Sequence, residues 1–244
     1  MTTYRIDLAY DGSGFHGYAK QPNVRTVQGE LETALFKLTG EVDTAVAGRT
    51  DTGVHARSQV VSFEAAGEVD CDLLFRSLNR QLAPEIAVAA VAIAPAGFNA
   101  RFSATGRAYT YLVLNRPVPD PFLARISWHY EPPLDVALMN EAMSHLVGEH
   151  DFAAFCRKAA NRSTIRRLDR VTWTERGDGL LALDVSASSF CHQMVRSLVA
   201  LSVEIGRGRV DPNTVPAILE GRDRQQAKGA APARGLTLVE VTYD

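Results

Sequence analysis

The 244-residue sequence has no apolar run near the roughly 18 residues that a membrane-spanning helix needs, so no membrane partner is expected. Its opening, "MTTYRIDLAY", alternates polar and apolar from the start, which predicts a strand and not the apolar core of a signal peptide. Cysteine is scarce. Cys71, Cys156 and Cys191 stand far apart and are odd in number, which argues against a disulfide framework and makes the cytoplasm the expected compartment. Neither sign of charge dominates: 26 Lys and Arg against 28 Asp and Glu leave a net charge of -2. The total therefore gives no sign of a polyanionic partner, and the placement of the basic residues has to decide. The Walker pattern G-x-x-x-x-G-K-[ST] is missing. None of His16, His55, His129, His145, His150 and His192 forms the i, i+4 pair with an intervening acid that a helical zinc site shows, so no metal is expected.

What is present is an ordinary globular composition, 46% hydrophobic and 22% charged, on a chain long enough for one large domain or two small ones. Tyr4, Ile6, Leu8 and Tyr10 alternate as on a half-buried strand. "VQGELETALFKLTG" (27–40) has helical spacing, with Thr26 as N-cap and Gly40 as stop. Strands are predicted at 42–47 and 58–63, a helix at 72–82 and a strand at 86–94. This order is that of a ferredoxin-like unit. The second half repeats it: a strand at 104–115, a helix at 135–148 capped by Asp135, two strands joined by the turn "GDG", a helix over 190–206, a short helix near 214–220 and a last strand at 236–243. The predicted fold is α+β, with two tandem ferredoxin-like βαββαβ halves, residues 1–100 and 101–244. The stretch 221–235, rich in glycine, alanine and charge, reads as a mobile loop.

Ionisable and turn residues concentrate in "AGRTDTGVHA" (47–56), between two predicted strands. Arg49 and Asp51 are two apart, so on an extended segment they share a face. An aspartate is already anionic at neutral pH and needs no partner base to act as a nucleophile. The alternative is structural: Asp51 caps a turn and Arg49 forms a surface ion pair. "DTG" also occurs in aspartic proteases, which need two carboxylates sharing a proton. The tripeptide occurs once here, and the α+β pattern does not suit that all-β architecture.

Three other features carry possible chemistry. Tyr109 and Tyr111 lie on one face of a strand near Arg101 and Arg107, which fits either a sheet core or stacking on a base. Arg196 stands in an otherwise apolar helix among Phe190, Met194, Val195, Leu198 and Val199, so it either meets an anion (Asp51 or a phosphate) or snorkels to water. Cys191 and His192 are adjacent on the same predicted helix and face different ways. The segment 157–170 holds six basic residues and one acid. It is either a solvated surface or, with Arg25, Arg57, Arg76, Arg80 and Arg101, a phosphate-binding footprint that includes Arg157, Lys158, Arg162 and Arg166.

The segments "YDGSGFHGYAKQP", "VRTVQGELE", "AGRTDTGVHARSQVVSF", "FNARFSATGRAYTYLVLN", "FCHQMVRSLV" and "GLTLVEVTY" occur in an order that resembles the bacterial tRNA pseudouridine synthase A family, over nearly the whole chain. The resemblance implies two ferredoxin-like halves whose antiparallel sheets join, with a central cleft. It implies isomerisation of uridine to pseudouridine on the 3′ side of the tRNA anticodon stem-loop (tRNA positions 38–40), no cofactor or metal, and a homodimer that binds tRNA. Asp51 matches the family's catalytic aspartate, acting either as nucleophile or as base. Tyr109 matches the tyrosine that stacks on the target base, Arg49 the arginine of the same loop, Arg196 the late-helix arginine that pairs with the aspartate, and Leu236 the apolar residue near the uracil. Tyr18, Ala19 and Lys20 depart from the family pattern of tryptophan, glutamine and arginine, and Arg234 stands where an acid is frequent. A lysine cannot make the bidentate phosphate contact of an arginine, so Lys20 bears on tRNA docking. The alternative function is an RNA-binding module of the same fold that has lost catalysis.

Overall fold

The computed structural model describes residues 1–157, 163–227 and 229–243. The chain divides into two compact units. One is Met1–Thr105 completed by the C-terminal segment from Thr237, and the other is Gly106–Leu236.

In the first unit, β1 (Thr2–Tyr10) buries Tyr4, Ile6, Leu8 and Tyr10, the alternation expected of a strand with one face on a core. It pairs antiparallel with β3 (His55–Ala65) on one side and β4 (Ile86–Ile93) on the other. The short β2 (Thr44–Val46) takes the remaining edge of β3 antiparallel, at Phe63 to Val61. The last strand of the chain, β10 (Leu236–Tyr243), meets β3 further along, pairing Thr237 with His55 and Leu238 with Ala56 in parallel. The sheet is therefore mixed, not antiparallel throughout. A strand that returns after the whole second unit is not bound to the antiparallel sense that a hairpin imposes.

Two helices accompany this sheet. In α1 (Val27–Thr39) the Thr26 hydroxyl accepts from the Gly29 N–H at 3.2 Å, and the buried face is Val27, Leu31, Ala34 and Leu35. In α2 (Cys71–Leu82) Asp70 accepts from the Asp72 N–H at 2.8 Å. Leu74, Leu78 and Leu82 are buried and Arg76 and Arg80 face outward. Each buried leucine of these helices is worth roughly 1.5–3 kcal/mol, so their apolar stripes hold them far more firmly than their caps do.

In the second unit, β5 (Ala104–Leu114), β9 (Leu180–Ala187), β8 (Ile165–Glu175) and β7 (Gly148–Asp151) pair antiparallel in that spatial order. The β8–β9 turn is the expected one: Gly177, Asp178 and Gly179 all have φ near +50 to +90, and Arg176 N–H donates to the Leu180 carbonyl at 2.7 Å. Neither β6 (Trp128–His129), parallel to β5, nor β7 was anticipated, because two and four residues are too short to show a period. Helix α3 (Val136–Ser144), capped by Asp135, stops earlier than predicted, and Gly148 at φ +108 turns the chain into β7. Helix α4 (Met194–Gly206) is buried on nearly every side. A Cβ on Gly206 would come within 2.8 Å of Met139, so the α3–α4 approach is close there.

Three expectations are corrected. Helix α4 begins at Met194 and not at Phe190, because Gln193 is left-handed (φ +64); Cys191 and His192 therefore precede the helix. Cys156 and Cys191 are paired as a disulfide, with Cα atoms 5.7 Å apart, and Cys71 is the remaining free cysteine. A count and a spacing along the chain cannot show that residues 35 apart meet in space. The described residues of the stretch 221–235 are anchored: Gly221 ends α5 (Val215–Gly221), Ala227 and Ala231 are buried, and Ala231 N–H donates to the Arg196 carbonyl at 2.9 Å. No helix among the described residues is long and apolar enough to cross a membrane.

Candidate active site

The loop between β2 and β3 is not extended. Asp51 opens a turn that closes with Val54 N–H donating to the Asp51 carbonyl at 3.1 Å. Gly53 (φ +78) occupies the turn position where a type II geometry demands positive φ. That requirement explains the glycine of "TDTG".

Buried side chains hold this loop. Gln59, on β3 and fully buried, grips Gly48 twice: its Nε2 donates to the Gly48 carbonyl at 2.7 Å and its Oε1 accepts the Gly48 N–H at 3.3 Å. The same Nε2 donates to the Tyr10 hydroxyl at 3.2 Å. Tyr10 and the Thr50 hydroxyl are bonded at 2.8 Å, and Tyr18 N–H donates to the Thr50 carbonyl at 3.0 Å. Thr50 is buried, whereas Arg49 is exposed and Asp51 half-buried. Burial pushes the Tyr10 phenol up to about 12, outweighing its bonds to Thr50 and Gln59, and burial also pushes Tyr18 up. Both phenols are thus neutral and not bases; Tyr10 holds the loop through its hydroxyl, and Tyr18 through its backbone N–H.

A second clasp joins the loop to the end of β1. The Gly12 N–H donates to His55 Nδ1 at 3.1 Å, and a Cβ at Gly12 would lie 2.0 Å from the Val54 carbonyl oxygen. Gly17 makes a similar close approach: a Cβ there would lie 3.0 Å from the Thr50 carbonyl oxygen.

In the second unit, Tyr109 sits on β5 opposite Val185, 8% exposed, with the Phe190 ring edge-on at 5.2 Å. Tyr111 shares its face and donates its hydroxyl to the Pro232 carbonyl at 2.8 Å. Its phenol is pushed up by burial, with Arg196 and Arg234 acting in the opposite sense. Gly235 lies against the Tyr111 ring, which brings the buried Leu236 to the start of β10. Arg196, in the first turn of α4, is half-buried, and its Nε donates to the Ala231 carbonyl at 2.7 Å. That bond fixes the plane of the guanidinium.

The proposed footprint residues differ in setting. Arg25 lies over the Phe15 ring and is ion-paired with Glu30 (3.1 Å) and Glu85 (2.8 Å). Arg57, Arg76, Arg80, Arg101 and Arg157 are exposed, and Arg101 rests 5.3 Å over the Phe102 ring. Arg166 is half-buried, and burial lowers its pKa. Lys158 and Arg162 lie outside the described residues. Of the departures, Tyr18 is buried, Lys20 is ion-paired with Glu32 at 3.0 Å, and Arg234 donates to the Ser127 carbonyl at 3.1 Å. Among the described residues no group of three or more His, Cys, Asp or Glu could hold a metal ion.

Gln59, Tyr10, Thr50 and His55 were not singled out from the sequence. The signal was there for Gln59: it occupies the inward register of "SQVVSF" with Val61 and Phe63, and an amide on an apolar strand face needs buried partners.

The chain matches the family described as tRNA pseudouridine synthase over residues 8–103 and 142–244. The tRNA pseudouridine synthase A of Frankia casuarinae is 45% identical over 246 residues, spanning 100% of this chain and 90% of that protein. The protein of the same name from Moorella thermoacetica is 44% identical over 248 residues, 100% of both chains. That of Bacillus velezensis is 41% identical over 244 residues, 98% of both. The chain belongs to the tRNA pseudouridine synthase family, a family of isomerases acting on tRNA.

Proposed function

We propose that this chain converts uridine to pseudouridine in tRNA, on the 3′ side of the anticodon stem-loop, with Asp51 as the catalytic group. In this reading residues 1–100 and 101–244 are two ferredoxin-like halves, and the first carries the catalytic loop. The protein works as a cytoplasmic homodimer without metal or cofactor. The observation that carries the proposal is the setting of Asp51. A carboxylate opens a turn whose main chain is held by buried hydrogen bonds, inside a segment matched to the family.

The reaction breaks the uracil N1–ribose C1′ bond, turns the base and forms a C5–C1′ bond. The C5 proton is lost and N1 gains one, so no electrons are exchanged with a cofactor. Asp51 either attacks the ribose or the ring as a nucleophile or removes a ribose proton. The uridine must leave the stack first, at a cost of a few kcal/mol. Stacking on Tyr109 would return roughly 1–3 kcal/mol of this. Phe190 supports that role by fixing the Tyr109 ring edge-on. Arg49 fills the vacated space or holds a phosphate, Arg196 pairs with the carboxylate, and Leu236 packs near the uracil.

The test is Asp51→Asn, which keeps the size and one acceptor oxygen and removes the charge. It is expected to bind tRNA and to form no pseudouridine, mapped by chemical derivatisation of uridine-containing tRNA. A fully active Asn variant overturns the role of Asp51. A wild-type protein inactive on several tRNAs that it nevertheless binds supports the catalytically inert RNA-binding module instead.

A further inference from the structure

We propose that Gln59, Tyr10 and Thr50 form a positioning relay for the reaction, setting the main-chain path on which Arg49 and Asp51 are displayed. The proposal rests on the reading of Asp51 as the catalytic group.

The relay is built from the floor of the first unit's sheet. Gln59 on β3 and Tyr10 at the end of β1 are 0% and 4% exposed. A primary amide has two N–H donors and a carbonyl acceptor, and here each is used: Nε2 on the Gly48 carbonyl and the Tyr10 hydroxyl, Oε1 on the Gly48 N–H. The Tyr10 hydroxyl, which accepts from Gln59, is also bonded to Thr50 Oγ1 at 2.8 Å, and either oxygen can be the donor of that bond. The outcome is a tether at each side of Arg49: at the Gly48 backbone and at the Thr50 side chain. The Thr50 carbonyl is held in turn by Tyr18 N–H, one residue before Asp51.

A core with no task at this loop would be better served by apolar side chains. Burying an amide and a phenol is unfavourable unless every polar atom is satisfied, and a partly satisfied network is worse than none. Here the satisfied atoms point at the two residues that flank Arg49 and precede Asp51. The relay residues do not touch the substrate in this reading. They act through the loop, and displacements on the order of 1 Å in a reacting group cost about a hundredfold in rate.

The test uses Tyr10→Phe and Thr50→Val, each of which removes one hydroxyl with little change of shape, and Thr50→Ser, which restores the hydroxyl. Single-turnover rates are measured at saturating tRNA, with tRNA affinity and thermal midpoint recorded on the same proteins. Tyr10→Phe and Thr50→Val are expected to fold and to bind tRNA within about twofold of wild type. Their single-turnover rate should fall between about tenfold and a hundredfold. The double variant should be no slower than Tyr10→Phe, because Tyr10→Phe already removes the Tyr10–Thr50 bond that Thr50→Val removes, together with the Gln59–Tyr10 bond. Thr50→Ser should recover most of the rate. Folded Tyr10→Phe and Thr50→Val proteins with wild-type rates overturn the relay, as does a rate loss in Thr50→Val that Thr50→Ser shares in full. Asp51→Asn run in parallel separates the two readings. If it is inactive while the relay variants are wild type, only the relay fails; if it is active, the role of Asp51 fails.

Discussion

The backbone N–H of Gly12 points at Nδ1 of His55 from 3.1 Å, so a buried imidazole bridges the end of β1 and the first residue of β3. As acceptor, this nitrogen must carry its lone pair toward Gly12. A proton on Nδ1 would instead be donated to the Asp11 carboxylate, which stands 3.1 Å from the same atom, so the acceptor role belongs to the tautomer protonated on Nε2. The clasp matters because β3 begins one residue after the turn that Asp51 opens. His55→Ala leaves the buried Gly12 N–H without that acceptor, and about 1–3 kcal/mol of stability should be lost. His55→Asn places an amide oxygen near the lost nitrogen and should lose less. Urea unfolding of the three proteins checks the order, and equal losses for Ala and Asn would refute the acceptor role.

Gly12 has a second duty. A methyl group there would sit 2.0 Å from the Val54 carbonyl oxygen, and backbone cannot yield as a flexible side chain does. Gly12→Ala should therefore cost at least the roughly 1–3 kcal/mol typical of overpacking and shift the loop as well. A Gly12→Ala protein with wild-type thermal midpoint would mean that the two segments lie further apart.

Tyr10 makes a prediction about alkaline pH. Its folded pKa, raised by burial to about 12, exceeds the unfolded value near 10. A group whose pKa is raised on folding contributes stability that is whole below the unfolded value and is lost as pH climbs through the folded one. Stability should thus fall between about pH 10 and 12, with Tyr10 responsible for on the order of 2–3 kcal/mol. Tyr18 and Tyr111, also raised by burial, act in the same direction. Unfolding free energies across this range should fall less steeply for Tyr10→Phe than for wild type. Parallel slopes would count against a buried neutral phenol.

The elements that could be read from the sequence are those whose pattern is local. Thr26 and Gly40 bracket α1 as expected, and "LTLVEVTY" is β10 to the residue. What escaped depends on partners remote in sequence. Gln193 adopts a left-handed conformation that its side chain does not announce, and it moved the start of α4. The Cys156–Cys191 pairing crosses 35 positions. At the site, Arg49 and Asp51 stood out by their chemistry. The Gln59–Gly48 and Tyr10–Thr50 bonds span 11 and 40 residues and become visible only once β1 and β3 are side by side.

That disulfide is open to a direct check. In the loop-entropy picture, closing a loop of 35 residues contributes roughly 3–4 kcal/mol. Protein purified without reductant and then denatured should titrate one thiol, Cys71, and all 3 cysteines after reduction. Reductant should lower the urea midpoint of wild type and leave that of the Cys156→Ser/Cys191→Ser double variant unmoved. Three thiols before reduction would show the pair to be open.

The exposed arginines make the last prediction. Arg76 and Arg80 are one helical turn apart on α2 and both face outward with no ion pair among the described residues, so they can meet phosphates without giving up a carboxylate partner there, as Arg25 must. Each phosphate contact releases condensed counterions, and losing one contact should reduce the log–log salt slope of tRNA affinity by about 0.7–0.9. Arg76→Ala and Arg80→Ala should each flatten the slope by that amount. Arg25→Ala should change it less, because Glu30 and Glu85 already neutralise that guanidinium. Its main effect should be on stability, and a modest one, since exposed ion pairs are worth up to about 1 kcal/mol. Filter binding at several salt concentrations checks the ranking. If Arg25→Ala flattened the slope more than either α2 variant, the footprint would lie around the entrance to α1 and not along α2.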